Sequence, residues 1–452
     1  MSKPGLPQGM RDFGPETVYK RQFIFDSIRS VFECYGFEPL ETPAMENLET
    51  LMGKYGEEGD KLIFKILNNG LDHIAKKETA RVAFENILAG KNERAITERA
   101  LRYDLTIPFA RYVAMHHHQI IFPFRRYQLQ PVWRADRPQK GRYREFYQCD
   151  ADVVGSHSLL NEVELAQIYL TVFNKLGIEV ELRINHRKIL SGLAASCGGP
   201  GQTTTITTAI DKLDKIGIEK VKEELHEKKL TESEISIIEN YLHIDGSNNE
   251  KMHQVAGLLA NEMTQEALSD LQAILRHFPG QDNLLLDFSL ARGLNYYTGV
   301  IFEVRAKKVQ IGSIGGGGRY DDLTGLFGVP GIPGVGISFG VDRIYDVMEE
   351  LTLFPPSVRR SASVLFFNLG EDAAEKSFEL VQSLRREGIR CEIYSEKAKF
   401  DKQFKYAEKK QIPRVVIIGP EELVSKTAKV KNLQSGQQEE VRFEDLKDKL
   451  RS

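Results

Sequence analysis

The chain has 452 residues, 41% of them hydrophobic and 28% charged, an ordinary globular balance with enough length for two or three domains. The formal net charge of −3 excludes a bulk polyanion binder, so any nucleic-acid contact must depend on local basic patches. The four scattered cysteines form no Cys-x-x-Cys pair, and no apolar run could serve as a signal core or span a bilayer, so a reducing, cytoplasmic compartment without membrane contact is expected.

The amino-terminal region predicts a helix followed by a strand that contains prolines. Apolar residues recur with helical spacing over residues 16–35, and Gly36 is suited to end that helix. Residues 37–43 have strand character, but Pro39 and Pro43 cannot donate to a ladder. This strand is therefore expected at a sheet edge or at an interface, and a plain edge strand also explains it.

The segment from Leu101 to Phe109 places a carboxylate and a hydroxyl two positions apart. On a strand, Asp104 and Thr106 would face the same way and could together hold an ammonium group. The same residues fit a helix start before Ile107, because Thr ahead of Pro often begins a helix. Both interpretations stay open at this point.

Three consecutive histidines, His116 to His118, follow that segment. Consecutive side chains point in different directions, whereas zinc ligands share one face, so no metal site is predicted here. A polar loop ahead of a strand at Ile120 is expected, and no tightly bound, protein-ligated metal is expected in the chain.

Residues 127–155 predict an antiparallel hairpin around a charged loop, residues 135–144. Side chains of its second strand alternate between two faces, with Tyr147, Cys149, Ala151 and Val153 on one and Phe146, Gln148, Asp150 and Asp152 on the other. A core strand rarely carries amide and carboxylate side chains at three positions unless something polar binds there. The second face therefore predicts a polar pocket.

Basic side chains crowd the loop of this hairpin, namely Arg134, Arg137, Lys140, Arg142 and Arg144. A solvated charged turn is the simpler interpretation of the loop alone. The alternative is a phosphate site, in which guanidinium groups held by the hairpin lie beside a carboxylate-lined pocket.

A charge-rich region without strand signals, residues 195–278, comes next. Thr231 and Glu234 form a capping box ahead of an apolar helix. We interpret this region as a helical insertion between two halves of one domain. A solvated helical hairpin with only a structural role competes with that interpretation, because nothing in the region is strongly basic.

The segment after the insertion, residues 286–303, contains an Arg-Gly pair at Arg292 and two adjacent tyrosines, Tyr296 and Tyr297. Apolar, strand-like runs flank these residues. The pattern is typical of a loop packed over a polar site, although an Arg-Gly pair alone is weak evidence.

A run of glycines from Gly315 to Gly318 allows close approach of the backbone to a ligand. It is neither a P-loop nor a dinucleotide fingerprint, because the required Lys-Ser/Thr and the third, helix-opening glycine are missing. In residues 334–344 a strand leads into a helix whose first turn holds Arg343. The helix dipole disfavours a cation there, so a ligand anion is indicated.

Beyond a proline-containing linker the pattern changes to alternating strands and helices, which predicts a parallel or mixed sheet. Residues 397–414 interleave lysines with Phe400, Phe404 and Tyr406. Basic and aromatic side chains together suit unstacked RNA bases. An exposed helix face is the competing interpretation.

These segments resemble a known family. Val132-Trp133-Arg134-Ala135-Asp136-Arg137-Pro138, followed by Gly141 to Phe146, resembles the second signature motif of class II aminoacyl-tRNA synthetases in its histidyl-tRNA synthetase form. Residues 16–43 resemble the first motif, 292–299 and 311–326 two histidine-specific motifs, and 334–344 the third motif. One departure is Asn295, where the family usually has Asp, which puts in doubt any role for a charge at that position.

The resemblance implies an α+β class II synthetase core, with an antiparallel sheet flanked by helices, a helical insertion and a C-terminal α/β anticodon-binding domain. The implied boundaries are 1–194 and 279–352 for the two parts of the catalytic core, 195–278 for the insertion, 353–360 for the linker and 361–452 for the anticodon-binding domain. It also implies a homodimer joined through the first motif.

The activity implied by the resemblance is ATP-dependent activation of L-histidine to histidyl-adenylate, then transfer to tRNA(His), with Mg²⁺ on the outer phosphates. The expected catalytic residues are Arg134 and Arg292, which also bind ATP together with Arg343. The expected histidine-binding residues are Asp104, Leu105, Thr106, Gln148, Asp152, Tyr296 and Tyr297, and the expected contacts to the tRNA acceptor end are Arg137 and Gln139.

Two alternatives have different functions. Paralogues of the family act as non-catalytic, histidine-binding regulatory subunits of ATP phosphoribosyltransferase, but they resemble only the core and lack the C-terminal domain that this chain keeps. A pseudo-synthetase that only binds RNA would be expected to have lost Arg134 or Arg292, and both are present.

Overall fold

The structure is a computed structural model that describes residues 3–54, 59–73, 76–90, 93–278, 283–291, 296–358 and 362–451. The chain divides into two compact units, Met1–Phe354 and Pro355–Ser452. Within the described ranges, no helix combines the length and the apolar character needed to cross a membrane.

The strands are β1 Glu38–Pro39, β2 Met45–Asn47, β3 Lys65–Ile66, β4 Arg99–Leu101, β5 Phe124–Trp133, β6 Glu145–Val154, β7 Val180–His186, β8 Leu284–Leu286, β9 Val300–Ala306, β10 Gly315–Tyr320, β11 Gly334–Gly340, β12 Val364–Phe366, β13 Cys391–Ile393, β14 Arg414–Ile417, β15 Thr427–Asn432 and β16 Gln438–Arg442. The α-helices are α1 Pro15–Cys34, α2 Leu48–Leu51, α3 Lys77–Leu88, α4 Thr106–His116, α5 Leu160–Leu176, α6 Arg187–Ser196, α7 Thr203–Ile210, α8 Leu213–Glu227, α9 Glu232–Leu242, α10 Asn248–Leu258, α11 Glu262–His277, α12 Val341–Glu350, α13 Glu371–Arg386, α14 Phe400–Lys410, α15 Pro420–Ser425 and α16 Leu446–Arg451.

The first unit is built on an eight-stranded sheet with the order β1-β5-β6-β11-β10-β9-β7-β8. Neighbouring strands are antiparallel except at the two ends, where β1 pairs with β5 and β7 pairs with β8 in parallel. Helices α1 and α5 cover one face and bury an apolar core there, which includes Ile28, Phe32, Cys149, Tyr169, Phe173 and Phe339. The other face of the central strands is left for polar side chains.

The predicted alternation of β6 is confirmed. Cys149 and Ala151 are fully buried in the apolar core, whereas Gln148, Asp150 and Asp152 line a cavity on the opposite face. One strand therefore separates the core from the cavity, because its side chains alternate between the two faces.

The structure shortens one predicted strand, selects one of the two interpretations at Asp104, and moves the start of the strand expected at Ile120. Only Glu38–Pro39 of residues 37–43 forms a strand, and it lies at the sheet edge as the prolines require. At Asp104 the helix interpretation is the correct one, since α4 begins at Thr106 and the Asp104 Oδ1 atom accepts a hydrogen bond from Ile107 N at 3.1 Å. The helix runs to His116, and the following strand starts only at Phe124.

Helices α7 to α11 lie within residues 195–278, as the lack of strand signals in that region predicted. The capping box of Thr231 and Glu234 is present at the start of α9. A second capping box, formed by Ser247 and Glu250, begins α10. Helix α8 has a break at Gly217, whose φ of 77° and ψ of 166° are not helical.

The second unit contains a five-stranded mixed sheet with the order β13-β12-β14-β15-β16. Its apolar core is made of its own residues, such as Val364, Phe366 and Val416. Two of the aromatic residues in the basic segment pack within this unit, because Phe404 lies edge-on to Phe367 with ring centroids 4.8 Å apart and Tyr406 donates to Glu392 at 2.9 Å. These contacts favour a packing role for both rings.

Candidate functional site

A cavity of about 530 Å³ lies over the polar face of the central strands. It brings together most of the residues singled out from the sequence, namely Asp104, Thr106, Arg134, Gln139, Gln148, Asp152, Tyr296, Tyr297 and Arg343. These positions are spread over some 240 residues of the chain, and the sheet register places them around one volume.

Three of the singled-out residues are not in this group. The Leu105 side chain is fully buried and does not line the cavity. Arg137 is exposed and does not line it either. Arg292 lies outside the described residues, as does Asn295, so their roles remain predictions from the sequence.

One end of the cavity carries buried carboxylates around one buried arginine. The Arg126 guanidinium is fully buried, lies 2.8 Å from Asp152 Oδ2, and stacks over the Phe109 ring at 4.2 Å from the centroid. Tyr320 donates its hydroxyl to Asp152 at 2.5 Å, and Tyr296 donates to Asp104 at 3.0 Å. The carboxylates thus receive hydrogen bonds from the walls while facing the cavity.

Several buried polar atoms at this end have no hydrogen-bond partner among the described residues, including Gln148 Oε1, Asp150 Oδ1 and the Nε and Nη1 atoms of Arg126. Buried polar atoms in native proteins are nearly always satisfied, so such a cluster calls for a polar ligand. Gln148 and Asp150 line the cavity whereas Arg126 does not, so the unsatisfied atoms that belong to cavity-lining residues are acceptors and match a ligand with N–H donors.

Burial raises the pKa of Asp150 to about 7, and nearby Asp152 adds to the rise while Arg126 opposes it. Among the residues that the structure describes at this end, the three buried carboxylates of Asp104, Asp150 and Asp152 outnumber the one buried cation, Arg126. This end of the cavity is therefore selective for a cationic group such as an ammonium.

The ionisation of Asp150 predicts a pH-dependent stability change in the Asp150→Asn variant. Because the folded pKa is raised from 3.8 to about 7, ionisation penalises folding increasingly as pH rises across that window, and the penalty is absent below it. The Asp150→Asn variant lacks this penalty, so the difference between its free energy of unfolding and that of the wild type should grow by roughly 2 kcal/mol between pH 5 and pH 8. Thermal unfolding at both pH values measures it, with the exposed Asp12→Asn variant as control. An advantage that is equal at both pH values contradicts the prediction.

Glycines form the floor of the cavity. An added Cβ at Gly336 would lie 1.9 Å from Asp152 Oδ1, and one at Gly317 would lie 2.2 Å from the Gly336 carbonyl oxygen, so only glycine allows these strands to lie this close. At Gly316 the nearest atom would be the Phe302 carbonyl oxygen at 3.4 Å, so the space above it belongs to the cavity.

Arg134 is held rigidly between two rings. Its Nε donates to the Tyr103 carbonyl oxygen at 3.1 Å, and its guanidinium lies 4.2 Å from the Tyr103 ring centroid and 5.2 Å from that of Phe146. Since Phe146 stands two positions from Gln148 on the same face of β6, the guanidinium lies beside the polar pocket. A fixed guanidinium in this position suits a phosphate.

Arg343 is held at the opposite end from Asp152. Its Nε donates to Gly141 O at 2.8 Å and its Nη1 donates to Ser313 O at 2.7 Å. The neighbouring Asp342 is engaged elsewhere, in an ion pair with Arg21 at 2.6 Å and a further one with Arg11. The carboxylate of Asp342 is therefore turned to other cations while the Arg343 guanidinium lines the cavity.

The sheet register orders the cavity from a carboxylate end to a cation end. Asp152 lies opposite Gly336 on β11, which lies opposite Gly318 on β10. Chain continuation from Gly340 into α12 brings Arg343 to the other end, next to Ser313 just ahead of β10. A ligand with an ammonium group and an anionic group would lie along this axis.

Comparisons with known proteins agree with this geometry. A family model described as Histidyl-tRNA synthetase matches residues 93–344, and one described as Anticodon binding domain matches residues 363–452. The curated Histidine--tRNA ligase of Christiangramia forsetii is 52% identical over 99% of this chain and 99% of its own length. The chain belongs to the histidyl-tRNA synthetase family. The Histidine--tRNA ligase of Bacteroides fragilis is also 52% identical, over 98% of each chain.

Solved structures place the histidyl-tRNA synthetase fold over the whole chain. The crystal structure of histidyl-tRNA synthetase from a Nostoc species is 31% identical, with a TM-score of 0.80 over 100% of this chain and 99% of that one. A Bacillus halodurans structure titled as an ATP phosphoribosyltransferase regulatory subunit/histidyl-tRNA synthetase is 19% identical with a TM-score of 0.69, a likeness that shows the fold alone. The expected fold class, a class II synthetase core plus a C-terminal α/β domain, is confirmed.

Sequence reasoning missed two residues that shape the carboxylate end. Arg126 precedes the recognisable motif on β5, and only its cross-strand position opposite Asp152 shows that it neutralises that carboxylate. Tyr320 ends the glycine run and reaches Asp152 across β11. The sequence did contain a signal for Arg126. Arg126 and Gln128 are two positions apart on β5, so their polar side chains share one face, and both are buried in the structure.

Proposed function

We propose that the protein is a histidine–tRNA ligase, which activates L-histidine with ATP to form histidyl-adenylate and pyrophosphate and then transfers the histidyl group to tRNA(His). One observation carries the proposal: Arg134 and Arg343 line the same cavity as the buried carboxylates Asp104 and Asp152. Full-length relatives at about half identity that are named Histidine--tRNA ligase support the same activity.

Activation joins two anions. An oxygen of the histidine carboxylate forms a bond to the α-phosphorus of ATP, and the bond from that phosphorus to the bridging oxygen breaks, releasing pyrophosphate. Charge builds on the α-phosphate oxygens, so positioning and neutralisation supply most of the catalysis. Arg134 and Arg292 stabilise this charge, Arg343 holds the γ-phosphate, and no protein nucleophile takes part.

Amino-acid recognition takes place at the carboxylate end. Asp104 and Thr106 hold the α-ammonium group, Gln148 orients the substrate, and Asp152 with Tyr296 and Tyr297 contacts the imidazole ring. Asp152 is a buried carboxylate that lines the cavity, and because Arg126 and Tyr320 hold it in place, it can accept a ring N–H through a further lone pair. A site built around such hydrogen bonds rejects analogues that lack the donor by a large factor.

Mg²⁺ fits this arrangement as a partner of ATP. Phosphates and waters supply most ligands of such an ion, and one or two carboxylates suffice from the protein. Glu303 is a buried carboxylate that lines the cavity close to Ser313. When bound, the ion would neutralise charge on the outer phosphates.

The other parts of the chain serve tRNA binding and assembly in this proposal. Residues 361–452 bind the anticodon arm, and residues 195–278 form the insertion between the core parts 1–194 and 279–352. Arg137 and Gln139 contact the acceptor end, since both are exposed on the loop of the hairpin and Gln139 also lines the cavity. The first motif joins two copies into a homodimer.

The regulatory alternative is less supported. The chain carries a segment matched by the anticodon-binding family, and the whole-length relatives are named as ligases. A regulatory subunit would bind histidine without forming an adenylate, so the two functions differ in one measurable reaction.

Histidine-dependent exchange of labelled pyrophosphate into ATP tests the proposal directly. The wild-type protein should catalyse exchange with histidine and not with the other amino acids.

The Asp104→Asn variant tests the role of the Asp104 charge. Its amide oxygen can still accept the hydrogen bond from Ile107 N, but the α-ammonium group of histidine loses its counter-charge, so KM for histidine should rise roughly 10- to 100-fold. Absence of exchange in the folded wild-type protein overturns the assigned function.

A further inference from the structure

One lysine of the helical region, residues 195–278, lines the cavity, although nothing in the sequence indicated that this region contributes to the site. Lys215 lies at the start of α8, which belongs to residues 195–278, and its side chain lines the cavity. The Lys215 side chain is exposed. The break of α8 at Gly217 separates this first turn from the rest of the helix.

The turn that carries Lys215 is anchored to the central sheet. The preceding residue, Asp214, accepts from Arg305 Nη2 at 2.7 Å, and Arg305 Nε donates to Glu303 Oε2 at 2.6 Å. The Ser313 hydroxyl donates to Glu303, and the Ser313 carbonyl accepts from Arg343. A continuous polar chain therefore connects the turn to Arg343, the proposed γ-phosphate ligand.

The register of β9 fixes which end of the cavity Lys215 faces. Ile301 pairs with Gly318 near the carboxylate end, whereas Val304 pairs with Gly315. Arg305 follows Val304 in β9, and the Val304 carbonyl oxygen accepts from Ile314 N, the residue next to Ser313. The anchor of Lys215 is thus at the cation end, away from Asp152.

We propose that Lys215 binds the β- and γ-phosphates of ATP and the pyrophosphate that leaves, so that the helical region contributes a cation to the activation site. The inference rests on the proposed function for the identity of the triphosphate. An ammonium group on a long flexible stem suits outer phosphate oxygens, which it can follow as pyrophosphate separates. Lys215 donates hydrogen bonds from its ammonium and neutralises charge, and it transfers no proton.

The test compares Lys215→Gln with Lys220→Gln, an exposed lysine of the same helix that does not line the cavity. In pyrophosphate exchange, Lys215→Gln should raise KM for ATP and for pyrophosphate about 10-fold, the size of one charge-assisted contact, and leave KM for histidine unchanged. Calorimetric titration should show weaker ATP binding and unchanged AMP binding. Lys215→Arg should restore most of the loss, whereas Lys220→Gln should match the wild type.

Equal binding of ATP by Lys215→Gln and the wild type overturns the inference, as does an equal loss of ATP and AMP binding. A merely structural lysine would lower the melting temperature without changing the ratio of ATP to AMP affinity. Because the calorimetric readout needs no histidine chemistry, a protein that binds ATP through Lys215 yet shows no exchange with histidine would disprove the proposed function while supporting this inference.

Discussion

Replacing Arg134 by alanine is expected to lower histidine-dependent pyrophosphate exchange by roughly 10²- to 10³-fold, the loss typical of one preorganised donor. The Tyr103 and Phe146 rings and the Tyr103 carbonyl hold this guanidinium in place, so it needs no reorganisation as charge develops. Arg292→Ala should cause a loss of the same size, a prediction that rests on the sequence because Arg292 is outside the described residues. Single-turnover adenylate formation separates this effect from weaker binding.

A matched control comes from the same loop. Arg137 is exposed and outside the cavity, so Arg137→Ala should keep exchange close to the wild-type rate and lower only the charging of tRNA(His). Near-normal exchange in Arg134→Ala would refute its assigned role. A loss of equal size in Arg137→Ala would instead show that the loop acts through its net charge.

Ending the chain after Phe354 is expected to abolish most tRNA charging while it preserves adenylate formation. The division between the two compact units falls at this position, and each unit buries an apolar core of its own residues. The cavity with its carboxylates and cations lies wholly within the first unit. Loss of anticodon contacts should therefore affect the transfer step and leave activation intact.

Two assays on the same preparation decide this prediction. Pyrophosphate exchange reports activation, and acylation of tRNA(His) reports the complete reaction. A melting curve of the shortened chain confirms that it folds before either assay is interpreted. Parallel loss of both activities in a folded, shortened protein would contradict the proposed separation of tasks.

Much of the site could be predicted from local patterns. The period-two alternation of β6 identified which side chains would face a ligand, because a strand places neighbours on opposite faces whatever surrounds it. Arg343 was marked by its place in the first turn of a helix, where a cation is disfavoured unless an anion binds. Arg343 and the predicted ligand-facing residues of β6, Gln148, Asp150 and Asp152, all line the observed cavity.

Other features depended on contacts between distant segments. The sequence around Asp104 allowed a strand or a helix start, and packing of α4 against the sheet selected the helix. The basic segment of the second unit also looked available for RNA, yet Phe404 and Tyr406 contact Phe367 and Glu392 of neighbouring elements. Local composition contains no information about such partners.

The sequence by itself determined the secondary-structure periods, the motif residues and the existence of a polar face, since these follow from side-chain chemistry and spacing along one element. Only the tertiary structure decided that Arg126 neutralises Asp152, that Tyr320 donates to the same carboxylate, and that Lys215 enters the cavity. The physical reason is that strand register and helix packing bring together groups that are far apart in the chain, and buried charges acquire their energies from those neighbours.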